Sequence, residues 1–133
     1  GGEANAIAPH KRMLSSMTPT IVTYKDKLKM VVGTPGGSTI ITSVYQTLLN
    51  VIDHGMGMQE AVNAKRVHHQ WYPDKIQAET DALTENVQND LEKLGHQLRI
   101  TDKIGRMDCI LVLPDGRLEG GADPRGDNTA LGY

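Results

Sequence analysis

This 133-residue sequence predicts an α+β fold built on an antiparallel sheet. Three observations predict it. Strand-like pairs alternate with helix-like pairs, in place of single strand–helix–strand units. The apolar pattern switches from strand alternation to helical spacing across a Pro35-Gly36-Gly37 junction. A Pro114-Asp115-Gly116 turn makes a hairpin of the last two strands.

Residues 1–17 are irregular, punctuated by Gly, Pro and Ser, with His10-Lys11-Arg12 on the surface. From Thr18 to Gly33 the pattern gives two strands around a polar turn at Lys25-Asp26-Lys27, which lacks the Asn-Gly or Asp-Gly of a two-residue hairpin. Ser38 is the expected N-cap of a helix, in which Ile40, Ile41, Val44, Leu48, Val51 and Ile52 share one face. Asp53-His54-Gly55 closes it. A short helix over 58–66 follows. The stretch 67–79 has no helical period, and Pro73 makes it extended or loop. The segment 84–95 is a third helix, with Val87, Leu91 and Leu94 aligned and Gly95 as its stop. Strands follow near 96–103 and 106–123, and the tail from Pro124 is loop. No repeat, low-complexity tract or interior linker divides the chain, so residues 1–133 read as a single domain unit.

Composition narrows the function classes. The net charge of −2 carries no polybasic footprint for nucleic acid or anionic membrane. No apolar run is long enough to span a bilayer as a helix. Hydrophobic residues make up 38% and Phe is absent, a lean core that hints at help from a partner. The chain begins Gly-Gly-Glu without an initiator Met, which suggests a processed or truncated product; the lack of a signal peptide then says nothing about compartment. One cysteine, Cys109, excludes an internal disulfide and a zinc-type Cys cluster; within "MDCILVL" it reads as a small buried hydrophobe.

The Pro-Gly-Gly junction is the first chemical candidate. The leading N–H groups of a helix have no intrahelical acceptor, and the helix dipole adds positive character there. Glycine lets another group come close to the backbone. Gly36 and Gly37 can thus present amides to a phosphate, a carboxylate or a developing oxyanion. The junction is neither a Walker A loop nor a GxGxxG, and taken alone it reads as a plain tight turn. Ser15 and Ser16 precede a strand and, taken alone, read as a turn pair; they are not a GxSxG elbow. His68 and His69 have no third metal ligand at sensible spacing and read as structural or surface histidines. Arg125-Gly126-Asp127 reads as loop, and no carboxylate pair has the spacing for acid–base work.

Four stretches in order carry a resemblance: "GGEANAIAPHKRMLSSMTPTIV", "VVGTPGGSTIITSVYQTLLNVIDHGM", "EAVNAKRVHHQWYPDKIQAE" and "GGADPRGDNTALGY". Together they resemble the small subunit of bacterial γ-glutamyltranspeptidases, also called glutathione hydrolases. The resemblance runs along essentially the whole chain and is weakest between about residues 80 and 105. It implies the αββα sandwich of N-terminal-nucleophile hydrolases and a zymogen that cleaves itself into two subunits. It implies a new N-terminal Thr that attacks the γ-glutamyl amide of glutathione to form an acyl-enzyme. Water or an amine acceptor then takes the γ-glutamyl group. No metal or organic cofactor takes part. The partners implied are glutathione and other γ-glutamyl compounds, the large subunit and the rest of the small subunit, in the periplasm or outside the cell.

Carried over by position, Ser15 and Ser16 match the pair that holds the α-carboxylate of the γ-glutamyl group. Gly36 and Gly37 match the glycines whose N–H groups form the oxyanion hole. Met13 stands where relatives usually have Pro. The segment with the nucleophilic Thr is not in the chain as given, and Thr18, Thr20, Thr34 and Thr42 are internal and lack the free α-amine that serves as base. The expectation is a C-terminal part of the small subunit, inactive by itself. Two other readings are a related acylase or polyglutamate-processing enzyme and an inactive anion-binding fragment.

Overall fold

The first reversal of the chain is tight. β1 (Thr20–Tyr24) and β2 (Lys27–Gly33) are joined by Lys25 and Asp26 alone, both at positive φ, 50° and 61°. Such a turn matches the twist of the flanking strands and is usually made with glycine. Here Asp tolerates the left-handed conformation, and the Lys25 ammonium lies 5.1 Å from the Tyr24 ring centroid. The sequence lacked the expected dipeptide, yet the two-residue hairpin forms. The computed structural model describes residues 3, 6–13 and 16–132.

β2 pairs on its other side with β6 (Asp108–Val112), which pairs with β7 (Leu118–Ala122), giving an antiparallel sheet in the order β1-β2-β6-β7. The hairpin predicted at Pro-Asp-Gly is present: Gly116, at φ 87°, donates to the Leu113 carbonyl at 2.9 Å. On one face Met30, Val32, Cys109 and Leu111 are buried by α1 (Ile40–Ile52) and α2 (Met58–Asn63), through Val44, Val51, Met58, Ala61 and Val62. With no Phe to fill the space, the fully buried Met30, Met58 and Met107 do so; the unbranched thioether adapts to irregular gaps. Gly121 lets α2 approach β7. A Cβ there would stand 3.0 Å from both Met58 Cγ and Val62 Cγ1.

The apolar face predicted for α1 divides. Ile40, Val44 and Val51 are buried, but Ile41 and Ile52 are 71% and 57% exposed. The six residues spread over a wider arc of the helix than one packed neighbour covers.

The second sheet corrects the expectation of antiparallel pairs alone. β3 (Val67–His68) runs antiparallel to β4 (Ile76–Glu79), but β4 runs parallel to β5 (Leu98–Thr101). Parallel neighbours need a crossover, and α3 (Glu85–Lys93) is that crossover. The Thr84 hydroxyl caps α3 by accepting from Val87 N–H at 3.4 Å, and Gly95 at φ 93° ends it. The short strand β3 is completed by a side chain: Gln46 donates to the Val67 carbonyl at 2.7 Å and accepts from its N–H at 3.0 Å. The α+β class holds. Among the described residues no helix is long and apolar enough to cross a membrane.

Candidate active site

β2 ends at Gly33, and Thr34-Pro35-Gly36 lead into a single 3-10 turn, Gly37–Thr39, that opens directly into α1. Gly36 has φ 145° and Gly37 φ 64°, both in the region that favours glycine. The Thr39 hydroxyl donates to the Gly36 carbonyl at 3.0 Å, and the Ile40 N–H is given to the Gly37 carbonyl. The carbonyls of the turn are thus engaged from inside. Among the described residues no acceptor takes the N–H of Gly36 or of Gly37. A Cβ on Gly37 would meet nothing within 4 Å, so this face of the turn is open.

Ser38 does not cap the helix as expected. No side-chain cap bond starts either the 3-10 turn or α1. The chain enters α1 through the tighter turn, where the Ile40 N–H already finds a carbonyl, and Ser38 is exposed.

Of the serine pair, Ser15 lies outside the described residues. Ser16 is exposed and lines a cleft of about 620 Å³ with Met17, Val32, Gly33 and Asp108. It also borders a second cleft of about 370 Å³ that carries Lys11 and Arg12. The Ser16-Met17 segment is tied to the end of β2. Thr34 N–H donates to the Met17 carbonyl at 3.0 Å, and a Cβ on Gly33 would come within 3.5 Å of that same oxygen. The larger cleft reaches Gly33; Gly36 and Gly37 do not line it.

The histidine pair separates. His68 is buried between the Thr42 hydroxyl, 2.7 Å from Nδ1, and Gln70 Oε1, 2.8 Å from Nε2. His69 is exposed and lies 3.1 Å from Asp74. Among the described residues no three His, Cys, Asp or Glu side chains are grouped to hold a metal ion. Cys109 is buried in β6, and burial, ahead of neighbouring charges, pushes its thiol up to about 12.

Sequence reasoning missed a buried ionic cluster that joins the two sheets. Glu79, at the end of β4, accepts from the backbone N–H groups of Arg66 at 3.0 Å and Ile104 at 2.7 Å, and takes both arms of the Arg125 guanidinium. Asp123, just past β7, accepts from Arg66 at 2.8 Å, Arg125 at 3.0 Å and Met107 N–H at 2.7 Å. Burial works to raise the Glu79 and Asp123 carboxyls. Hydrogen bonds from Arg125, Arg66 and Ile104 to the first, and from Met107, Arg125 and Arg66 to the second, outweigh it and hold both below the usual range. Burial lowers the Arg66 guanidinium, and Asp123 offsets that only in part. The one sequence signal was Asp-Pro-Arg in the tail. Arg125 therefore belongs to a buried cluster, although the backbone around it is loop, as expected for Arg-Gly-Asp.

Comparison with known proteins identifies the family. The family model described as gamma-glutamyltranspeptidase matches residues 1–133. The glutathione hydrolase proenzyme of Escherichia coli (strain K12) is 46% identical over 134 residues, covering 100% of this chain and 23% of that protein. The acylase ACY 1 proenzyme of Pseudomonas sp. (strain V22) is 37% identical over 98% of this chain and 23% of its own length. Among solved structures, the T380A mutant of the Helicobacter pylori gamma-glutamyltranspeptidase superposes with a TM-score of 0.84 at 46% identity, over 95% of this chain and 69% of that one. The chain thus spans about a quarter of the length of the curated relatives it matches. With the family model matching from the first residue to the last, this chain belongs to the gamma-glutamyltranspeptidase family.

Proposed function

We propose that this chain supplies the oxyanion hole and the α-carboxylate clamp of a γ-glutamyltransferase and glutathione hydrolase. The observation that carries the proposal is the glycine turn. Two successive N–H groups at a helix mouth are engaged by no acceptor among the described residues, on a turn whose Gly36 and Gly37 carbonyls are held by internal bonds. In acyl transfer a nucleophile adds to the γ-glutamyl amide carbon, and the carbonyl oxygen takes the negative charge. Gly36 and Gly37 hold that oxygen; the dipole of α1 reinforces them. Collapse of the tetrahedral intermediate expels the amine with a proton and leaves the acyl-enzyme. Water or an amine acceptor then adds to the same carbon, and the same amides hold the second oxyanion. The nucleophile, an N-terminal Thr whose α-amine acts as base, comes from a segment outside this chain, as do the remaining small-subunit strands and the large subunit. Ser15 and Ser16 bind the α-carboxylate of the donor, with Lys11 and Arg12 supplying positive potential beside Ser16. The substrates are glutathione and other γ-glutamyl compounds, the location periplasmic or extracellular.

The acylase relative supports a second reading, in which the same oxyanion hole serves an acyl group without an α-carboxylate. The higher identity to the glutathione hydrolase and the serine pair favour the first.

The test is Gly37→Val in the full-length protein. A Cβ at Gly37 meets no neighbour, so the substitution acts through its φ of 64°, which a β-branched residue resists, and rotates the amide. Expected is a loss of kcat on the order of 100-fold with KM for a γ-glutamyl donor little changed. A Gly37→Val enzyme with native kcat overturns the assignment.

A further inference from the structure

We propose that Thr34 is a positioning residue that fixes the distance between the serine-bearing segment and the glycine turn. This rests on the reading of the site given above and adds a residue that touches no substrate.

Thr34 is the last residue before the Pro-Gly-Gly turn and is fully buried. Its backbone N–H holds the Met17 carbonyl at 3.0 Å, immediately after Ser16. Its hydroxyl accepts from the Arg106 N–H at 2.9 Å. The same Oγ1 lies 2.8 Å from the Arg106 carbonyl and 2.7 Å from the Pro35 carbonyl, so its one proton serves both. One residue therefore bonds three segments: the clamp segment, the turn that carries Gly36 and Gly37, and the loop at 105–106.

That third segment is packed against α1 and Thr34 with no room to spare, and it touches the turn at Gly36. Gly105 is at φ 69°, and a Cβ on it would come 2.6 Å from Ser43 Oγ and 3.4 Å from Thr34 Oγ1. A Cβ on Gly36 would in turn lie 3.6 Å from Gly105 Cα. The glycine turn leans on Gly105, and Thr34 latches Gly105's neighbour. The donor is held at its α-carboxylate by one of these segments and must deliver its carbonyl oxygen to another. The separation is a catalytic dimension, and among the described residues Thr34 is hydrogen-bonded to both ends of it. Misplacement by about 1 Å in such an arrangement costs on the order of 100-fold in rate.

The experiment uses the full-length enzyme with rates taken per titrated active site, so loss of folded protein does not enter. Thr34→Val removes the hydroxyl at nearly constant shape. Thr34→Ser retains it. Thr47→Val is the control, because Thr47 is also buried on α1 but its hydroxyl has no partner among the described residues. Two ligands are compared: a γ-boronic acid analogue of glutamate, which forms a tetrahedral anion and needs clamp and turn at the right separation, and 2-aminobutanoate, which carries the α-carboxylate but no γ-oxygen and so is held by the clamp alone.

Expected for Thr34→Val is a fall in kcat of about tenfold or more. Boronate affinity falls by a similar factor and 2-aminobutanoate affinity stays within about threefold. Thr34→Ser recovers kcat and boronate binding, and Thr47→Val matches the parent. Gly105→Ala, a second variant reaching the same contact, shows the Thr34→Val signature. Native kcat in Thr34→Val, or failure of Thr34→Ser to recover it, overturns the inference. So does an equal loss of both ligands, which marks general loosening. If Gly37→Val slows the enzyme while Thr34→Val does not, only this inference falls. If both are silent, the acyl-transfer reading falls with it.

Discussion

Two polar regions lie within a few residues of each other in the chain's packing, and they are built in opposite ways. In the cluster of Arg66, Glu79, Asp123 and Arg125, each carboxylate accepts hydrogen bonds from backbone N–H groups as well as from guanidinium groups. At the glycine turn, two exposed residues carry N–H groups with no acceptor among the described residues. The first region has satisfied its polar groups internally and is closed to solvent. The second leaves donors available at the surface of a helix mouth. Saturation of this kind holds a fold together and leaves nothing for a ligand; unpaired, preoriented donors add little to stability and are available for chemistry.

The largest expected effect breaks the first region. Glu79→Gln strips the carboxylate from a bidentate pair with Arg125 that is almost wholly excluded from water. Removing one partner of such a pair leaves an uncompensated buried charge, a cost of about 3–5 kcal/mol. Chemical denaturation of the full-length protein should show that loss, with kcat per folded site near the parent value. A loss of kcat with unchanged stability would erase the contrast. Acid works in the same direction. The folded-state carboxyls of Glu79 and Asp123 sit below their unfolded values, so their contribution is full at neutral pH. It is lost as pH falls through the ordinary carboxylate range toward the depressed folded values. The Glu79→Gln variant should show a weaker acid dependence than the parent.

An intermediate effect sharpens the second region. Ser15→Ala with Ser16→Ala removes hydroxyls proposed to hold a charged group, and such hydrogen bonds are worth about 1.5–3 kcal/mol each. KM for glutathione should rise on the order of tenfold or more, with little change for a donor that lacks the α-carboxylate. Equal effects on the two donors would remove the clamp, and with it the serine pair's support for the glutathione hydrolase reading over the acylase one.

The sequence was most legible where local chemistry decides structure. Pro-Asp-Gly gave its hairpin, helical spacing gave α1 and α3, and the Pro-Gly-Gly junction stood out between two periods. It was least legible where partners are distant. Nothing near Thr34 announces Arg106, 72 positions away, and nothing near Glu79 announces Arg125, 46 positions away. β4 and β5 look like members of an antiparallel set until α3 is seen to be their crossover. Ser38 looked like a cap because its type suits one, but the chain enters α1 through a 3-10 turn in which the Ile40 N–H is already given to the Gly37 carbonyl. Of the candidate site, Gly36, Gly37 and the serine pair came from motif resemblance, whereas the bonds that fix their separation could come only from the fold.

The smallest expected effect concerns Cys109, which lies on the core face of β6, on the closed side of the contrast. Its thiol is buried and pushed up to about 12, chiefly because burial disfavours the thiolate. The thiolate is the species that alkylating reagents attack, so access and ionisation both oppose reaction. Treating the native enzyme with iodoacetamide at neutral pH should leave Cys109 unlabelled and activity unchanged, while the denatured chain labels fully. Glu79→Gln should make labelling of the native protein faster, because the cluster closes the edge of the core in which Cys109 sits. Gly37→Val, which touches only the open region, should leave the labelling rate where it was. Labelling accelerated equally by both variants would mean that the two regions open as one unit, and the division between a closed, saturated cluster and an open, donor-bearing turn would not survive.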